Sequence, residues 1–258
     1  MSGQRIALVT GSSKGVGRGI ALGLADAGWD VVVNYHGDEA GGKQTVEAVE
    51  AKGRRAWLVR ADVSDADSVA KMFDFVDANA GPLGALVCNS GVQTWKPLLE
   101  LTIDEWQRTI GTNLTGSFLC TQQAARRMKE TGGGAIVTIG SGSNSVPFPN
   151  LVDYTASKGG LDQFTKVAAI ELGKYGIRVN CVAPGAIEIE RTKEEAPDYA
   201  ETWGPITPLR RVGSPADVAK AVTFLVSPKA EFVTGQTLYV DGGLWTRGVW
   251  PYPDEPGA

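Results

Sequence analysis

The sequence predicts a doubly wound α/β fold, a seven-stranded parallel sheet with helices on both faces. Short runs of β-branched and apolar residues alternate along the chain with longer stretches of helical period. The apolar runs are continuous rather than alternating, which is what strands buried on both faces require, and right-handed crossovers then place helices on each side of the sheet.

In chain order, RIALV (5–9) is the first strand and 17–28 the first helix, with a glycine-rich turn between them. DVVVN (30–34) leads into a helix over 39–52, RAWLVR (55–60) into 65–79, and ALVC (85–88) into a long helical stretch, 102–129. AIVTI (135–139) is followed by 151–175, IRVNCV (177–182) by 214–227, and QTLYV (236–240) completes the sheet. That gives seven strands and six helices. No internal repeat and no linker of shifted composition interrupts the pattern, so 1–258 reads as one domain. The break in alternation is 187–212, where charges, Pro205, Pro208 and two large aromatics separate a strand from a helix; a connection of that length is expected to be a lid over a ligand. The end PYPDEPGA reads as a frayed or surface-pinned terminus.

Lys and Arg number 25 against 29 Asp and Glu, with no run of like charge, so nothing electrostatic points to nucleic acid or an anionic membrane, and small-molecule ligands are expected. The opening MSGQRIALVTGSS has too short an apolar run for a signal peptide or a membrane span, which makes the cytoplasm the expected location. Cys88, Cys120 and Cys181 sit in apolar contexts without metal-ligand spacing and read as buried thiols. The single histidine, His36, can build neither a His-based triad nor a His-rich metal site, so no metal is expected.

The turn Thr10-Gly11-Ser12-Ser13-Lys14-Gly15-Val16-Gly17 follows the first strand and opens the first helix, so its backbone can approach a pyrophosphate while the helix N-terminus faces the negative charge. Gly11, Ser13, Lys14, Gly15, Val16 and Gly17 are therefore candidate dinucleotide contacts. At the end of the second strand, Asn34-Tyr35-His36 stands where an NAD-selective site usually puts a carboxylate on the adenosine ribose. With that carboxylate missing and the Lys14 ammonium available to a 2′-phosphate, NADP(H) is the preferred coenzyme and NAD(H) the alternative. Asp62 and Val63, ending the third strand, are candidates for the adenine edge.

Tyr154 and Lys158 are four residues apart at the start of a helical stretch, hence on one face of it. An ammonium about 4 Å from a phenol favours the phenolate by up to roughly 4 kcal/mol at an effective dielectric near 20, which brings general acid–base transfer within reach at neutral pH. Ser141 lies just past a strand's carboxyl end, where such sheets present residues to a cleft, and its hydroxyl can hold a substrate oxygen. Asn113 is an odd residue inside a helix, since its amide competes with helical hydrogen bonds; a polar task or a local kink would explain it.

Together TGSSKGVG, LVCNSG, Asn113, Ser141, the YTASK run at 154–158, APG at 183–185 and VTGQTLYVDGG resemble the short-chain dehydrogenase/reductase family over almost the whole chain. The resemblance implies Tyr154 as acid/base, Lys158 as its activator and the holder of the nicotinamide ribose, Ser141 as the group that polarises the substrate oxygen, and Asn113 as the residue ordering a relay water. It also implies coenzyme contacts at Asn89, Ser90, Gly91, Pro184, Gly185, Ile187 and Ile189, strand order 3-2-1-4-5-6-7, and a homotetramer. Two departures stand out: Cys88-Asn89-Ser90-Gly91 replaces the family's Asn-Asn-Ala-Gly, and Ile189 replaces the Thr that bonds the nicotinamide amide, leaving that contact to backbone near Ile187.

Within the family, VVVNY, VPFPNLVDYTASKGGL and PGAI are most similar to glucose 1-dehydrogenases and related aldose dehydrogenases. The resemblance implies oxidation of a sugar or other polyol, with Gln93, Ser143, Asn144, Glu190 and Arg191 as candidate polar contacts beside Ser141 and Tyr154, and Trp95 and Trp203 covering an apolar sugar face. The alternatives are NADPH-dependent reduction of a ketone or 3-oxoacyl thioester, and a non-catalytic nucleotide sensor.

Overall fold

The computed structural model describes residues 5–246. The end PYPDEPGA lies outside these residues. Seven strands, β1 (Ile6–Val9), β2 (Asp30–Tyr35), β3 (Ala56–Arg60), β4 (Leu83–Cys88), β5 (Gly134–Ile139), β6 (Ile177–Pro184) and β7 (Thr237–Val240), form one parallel sheet in the order β3-β2-β1-β4-β5-β6-β7. The order reverses between β1 and β4, and the crevice beyond the carboxyl ends there is where doubly wound sheets take their ligands.

Burial on both faces follows from the two-residue period of a strand. Ile6 and Leu8 face one layer with Met72, Phe73, Cys120 and Met128, while Ala7 and Val9 face the other with Ile20, Leu24, Val218 and Val222. The helices are α1 (Gly15–Asp26), α2 (Glu39–Glu50), α3 (Ala66–Asn79), α4 (Ile103–Ile110), α5 (Gly116–Thr131), α6 (Val152–Leu172), α7 (Glu190–Glu195), α8 (Tyr199–Trp203) and α9 (Pro215–Val226). Several open on caps legible in the sequence: Asp38 on α2, Asp65 on α3, and reciprocal Thr102–Glu105 and Ser214–Asp217 boxes on α4 and α9, each stabilising by about 1 kcal/mol.

Two expectations change. The stretch 102–129 divides into α4, a π-helical turn at Gly111–Thr115 and α5. Segment 187–212, read as a lid-like connection outside the six helices, carries the short α7 and α8. All three cysteines are free and buried, and burial pushes the Cys88 thiol up to about 12. Among the described residues no helix is long and apolar enough to cross a membrane.

Candidate active site

The glycine turn is shaped for close approach. Gly11 and Gly15 take φ of +60° and +55°, and a Cβ on Gly17 would fall 2.3 Å from the Gly11 carbonyl oxygen. At the start of α1 the N-cap, Lys14, makes no side-chain capping bond and no acid occupies the first turn, so the helix N-terminus presents N–H groups uncompensated by a side chain. The residues present thus fit a dinucleotide pyrophosphate. Lys14 is exposed, Ser13 buried, and Val16 packs partly against the core.

Asn34 does not face the ribose, contrary to expectation. It is 1% exposed; its Oδ1 accepts from Gly11 N at 3.0 Å and its Nδ2 donates to the carbonyls of Tyr35, Val59 and Ala61. The amide pins the glycine turn to the end of β2 because a buried polar group must find partners. Asn89 does the same from the other side, donating to the carbonyls of Thr10 and Gly11 at 2.9 and 3.0 Å. The Val63 side chain is core, 5% exposed and packed on Gly116, which leaves an adenine contact there to its backbone. Tyr35 is half-buried and His36 exposed, with Nε2 3.8 Å from Asp62. Burial opposes ionisation of Asp62, but bonds from Ser64 and the nearby imidazole hold its carboxyl below the usual range. Arg60, which sequence reading missed, donates from Nε to His36 O at 3.2 Å and brings a second cation to this end; its signal was the register of β3, which sets Arg60 beside Tyr35.

At the other end, the residues expected to react stand at the carboxyl end of β5 and on α6. Lys158, 4% exposed, donates from Nζ to Ile139 O at 2.6 Å and lies 5.5 Å from the centre of the Tyr154 ring. Two residues past Ile139, Ser141 caps the short turn Gly142–Asn144. Its Oγ accepts from Ser143 N at 3.2 Å, which fills an acceptor site and leaves the hydroxyl proton free to donate outward. Asn113, fully buried in the π turn, accepts from Val92 N at 2.8 Å and donates to Val92 O and Ser157 Oγ at 2.9 and 3.0 Å. Gly91 keeps the space between Asn113 and Lys158 open, since a Cβ there would lie 3.4 Å from Asn113 Oδ1 and 3.8 Å from Lys158 Nζ. Ser90 is half-buried beside Gly11.

The remaining expectations divide. Ser143 is buried with its N–H on Ser141 Oγ, and Asn144 spends its amide inside the protein rather than on a substrate. Trp95 is 62% exposed and outside the aromatic cluster, whereas Trp203 is within it. Trp203 packs on Tyr199 in α8 and on Trp245 from the turn after β7, and Trp245 packs on Phe148 from the loop after Ser141, with centroid separations of 6.2, 6.3 and 5.0 Å. A Cβ on Gly142 would fall 2.2 Å from Trp245 Nε1, which is buried without a hydrogen-bond partner. Tyr199, Trp245 and Phe148 were missed; their signal was aromatic residues in loops that follow strand carboxyl ends.

Gln93 is half-buried with its carbonyl accepting from Arg108. Glu190 and Arg191 are exposed on α7, the latter paired with Glu195. Pro184 and Gly185 end β6 half-buried, and Gly185 abuts Asp241. Ile187 is buried, and its backbone N–H meets the Tyr199 hydroxyl; burial chiefly pushes that phenol up, with Tyr154 nearby. Ile189 packs against Gly15, and its backbone N–H donates to Thr192 Oγ1 at 2.8 Å, so a threonine hydroxyl stands near the departure by another route.

Comparison with known proteins follows this geometry. A family model described as enoyl-(acyl carrier protein) reductase matches residues 11–245. The chain is 41% identical over 239 residues to the 3-oxoacyl-[acyl-carrier-protein] reductase FabG of Staphylococcus aureus, covering 93% of this chain and 97% of that one. Among solved structures, acetoin dehydrogenase from Enterobacter cloacae superposes with a TM-score of 0.89 at 37% identity, covering 98% of this chain and 100% of the other. A gluconate 5-dehydrogenase from Burkholderia cenocepacia, in complex with NADP and tartrate, gives 0.89 at 33%, covering 96% and 97%.

Proposed function

Since the chain belongs to the short-chain dehydrogenase/reductase family and is an oxidoreductase acting on CH–OH donors, we propose that it moves a hydride between NADP(H) and a carbinol carbon of a sugar or related polyol. The observation that carries the reaction is that Lys158, 5.5 Å from the Tyr154 ring centre, is anchored on Ile139 O at the carboxyl end of β5, two residues before Ser141.

A bound nicotinamide supplies the hydride donor or acceptor. Gly11, Ser13, Gly15 and Gly17 would take the pyrophosphate at the N-terminus of α1, Lys14 the 2′-phosphate, Lys158 the nicotinamide ribose, and the backbone at Ile187 the carboxamide. In the oxidative direction Ser141 donates a hydrogen bond to the substrate oxygen and fixes it, while Tyr154 takes the hydroxyl proton. Lys158, anchored on Ile139 O, holds positive charge beside the phenol as that proton arrives. Asn113 keeps the Tyr154 turn in place through Ser157, and a relay water would have to use the acceptor capacity its oxygens keep beyond the bonds from Val92 N and Ser117 Oγ. Segment 187–212 serves as the lid, with Tyr199 and Trp203 facing Trp245 and Phe148.

The sugar reading rests on that aromatic wall, whose faces suit the C–H side of a pyranose. The similarity to gluconate 5-dehydrogenase supports it. Reduction of a 3-oxoacyl thioester is the second reading, favoured by the 41% identity to FabG. A panel of aldoses, lactones, polyols, short ketols and 3-oxoacyl thioesters with both coenzymes, read by the absorbance of reduced coenzyme, decides between them. Turnover on an aldose or polyol is expected; none on any aldose, lactone or polyol overturns the sugar reading, and preference for 3-oxoacyl thioesters reverses the ranking. The enzyme is proposed to be a cytoplasmic homotetramer, with exposed Phe118, Val167 and Ile170 on α5 and α6 offered to a second copy.

A further inference from the structure

Asn144 and Asp162 lie behind Ser141, away from the aromatic wall. Asn144 Oδ1 accepts from Ser141 N at 3.0 Å, and Asn144 Nδ2 donates to Asp162 Oδ1 and Cys181 Sγ, each at 3.5 Å. A carboxylate only accepts, so Asp162 decides which way the amide is turned: Nδ2 toward itself, hence Oδ1 toward the Ser141 N–H. Asp162 is held in turn by Lys166 Nζ at 2.6 Å, one helical turn along α6, and by the Thr237 hydroxyl on β7. Burial opposes its charge, but Lys166, Thr237 and Asn144 together keep its carboxyl below the usual range. The amide can sit here because residue 140 is glycine: a Cβ on Gly140 would fall 2.6 Å from Asn144 Nδ2 and 2.7 Å from Cys181 Sγ.

We propose that Asn144 and Asp162 are positioning residues for Ser141, a relay that ties the substrate-polarising hydroxyl to α6 and β7. The functional part rests on the reading that Ser141 holds the substrate oxygen. Ser143 N donates to the Ser141 Oγ, and the Ser141 carbonyl accepts from Asn144 N at 2.9 Å; the Asn144 side chain adds the bond to the Ser141 N–H, so that both backbone groups of Ser141 are held by Asn144 while its hydroxyl keeps its proton to donate. Asp162 does not touch the reacting atoms and acts through Asn144.

The test has two arms. Hydrogen exchange of the Ser141 amide needs no turnover: in Asn144→Ala it should speed by about tenfold or more, and in Asp162→Asn by less, while amides within β5 keep their protection. Kinetics with the best substrate of the panel form a double-mutant cycle. Each single variant should lower kcat by about tenfold with coenzyme Kd within twofold, and the double variant should be no worse than Asn144→Ala, because Asp162 works through Asn144. Unchanged Ser141 exchange in Asn144→Ala overturns the relay whatever the substrate proves to be. Additive losses in the cycle overturn the role of Asp162 even if the exchange arm holds. Failure of the sugar reading alone shows in the substrate panel and leaves both arms readable.

Discussion

Asn113 Nδ2 donates to Ser157 Oγ at 3.0 Å, and Ser157 Oγ donates to Tyr154 O at 2.7 Å, so the π turn and the part of α6 that bears Tyr154 are one hydrogen-bonded unit. The same amide closes both backbone groups of Val92. Asn113→Leu keeps the volume and strands these groups in a buried place, at about 1–3 kcal/mol. A Tm several degrees lower and a fall in kcat are expected together. Ser157→Ala, which spares Val92, should lower kcat with a much smaller loss of Tm. Thermal melts and initial rates on both variants check this; equal Tm losses would show that the link through Ser157 matters only for packing.

Tyr154→Phe should remove nearly all turnover and leave coenzyme Kd within a few fold, because only the transferable proton is lost. Lys158→Met should damage both, since that side chain has two tasks and leaves Ile139 O without its 2.6 Å donor. Steady-state rates and coenzyme titration by fluorescence decide it. Most of kcat surviving in Tyr154→Phe would contradict the assignment of the acid/base.

The wall formed by Trp245 and Gly142 predicts a change in substrate binding without a change in coenzyme binding. A Cβ at 142 falls 2.2 Å from the indole nitrogen, so Gly142→Val must push Trp245 off Phe148 and Trp203. Trp245→Ala removes the same surface directly. Each should raise substrate KM by about tenfold, the scale of one aromatic contact, with coenzyme Kd unchanged. Unaltered KM in both variants would place the substrate elsewhere.

Acid stability should depend on Asp217, which caps α9 and pairs with Arg211 at the end of segment 187–212. The Arg211 guanidinium foremost, then bonds from Ser214 acting against partial burial, hold its carboxyl far below the usual range. A depressed folded-state value means that this stability is present above the unfolded carboxylate value, about 4, and is lost as pH falls from there toward the folded value. Asp217→Asn should therefore lower Tm at neutral pH by about 2–4 °C, equivalent to about 1 kcal/mol, and the gap to wild type should close under acid. Melts from neutral pH to about pH 3 test the sign; a gap that widens in acid would refute it.

The sheet was legible because each strand is a continuous apolar run and each crossover a helical period, so local pattern and global topology agree. The placement of the proposed catalytic residues was legible because Tyr154 and Lys158 stand four apart on one helix and Ser141 follows a strand end. What escaped depends on contacts between distant segments. The amides of Asn34 and Asn144 look like free ligands in the chain, yet both are consumed by backbone and carboxylate partners that only the fold brings near. Trp245 is 97 residues beyond Phe148 and meets it only because β7 ends beside β6. The π turn at Asn113 showed as a mismatch with helix propensity, whereas its form depended on how Val92 and Ser157 pack around it.

Coenzyme choice is expected to be decided at the adenosine end. Lys14 is exposed at the N-cap of α1, from where its ammonium can reach a 2′-phosphate, and Arg60 adds a second cation beside His36. NADP(H) should therefore be used in preference to NAD(H). A charge-assisted bond to the phosphate is worth roughly 1.5–3 kcal/mol, so Lys14→Ala should erase about one to two decades of that preference and barely alter the constants for NAD(H). Arg60→Ala should act in the same direction, less strongly, because its Nε is already engaged with His36 O. Both effects should shrink as salt rises, since the cations are exposed and screened. Asn34→Asp is a different experiment: the residue is buried under the glycine turn, so a carboxylate there loses the amide donors to Tyr35, Val59 and Ala61 and should lower Tm and weaken both coenzymes together. The measurement is kcat/KM for each coenzyme at two ionic strengths, for wild type and the three variants. Equal use of both coenzymes by wild type, or an unchanged ratio in Lys14→Ala, would show that the 2′-phosphate is not read at Lys14.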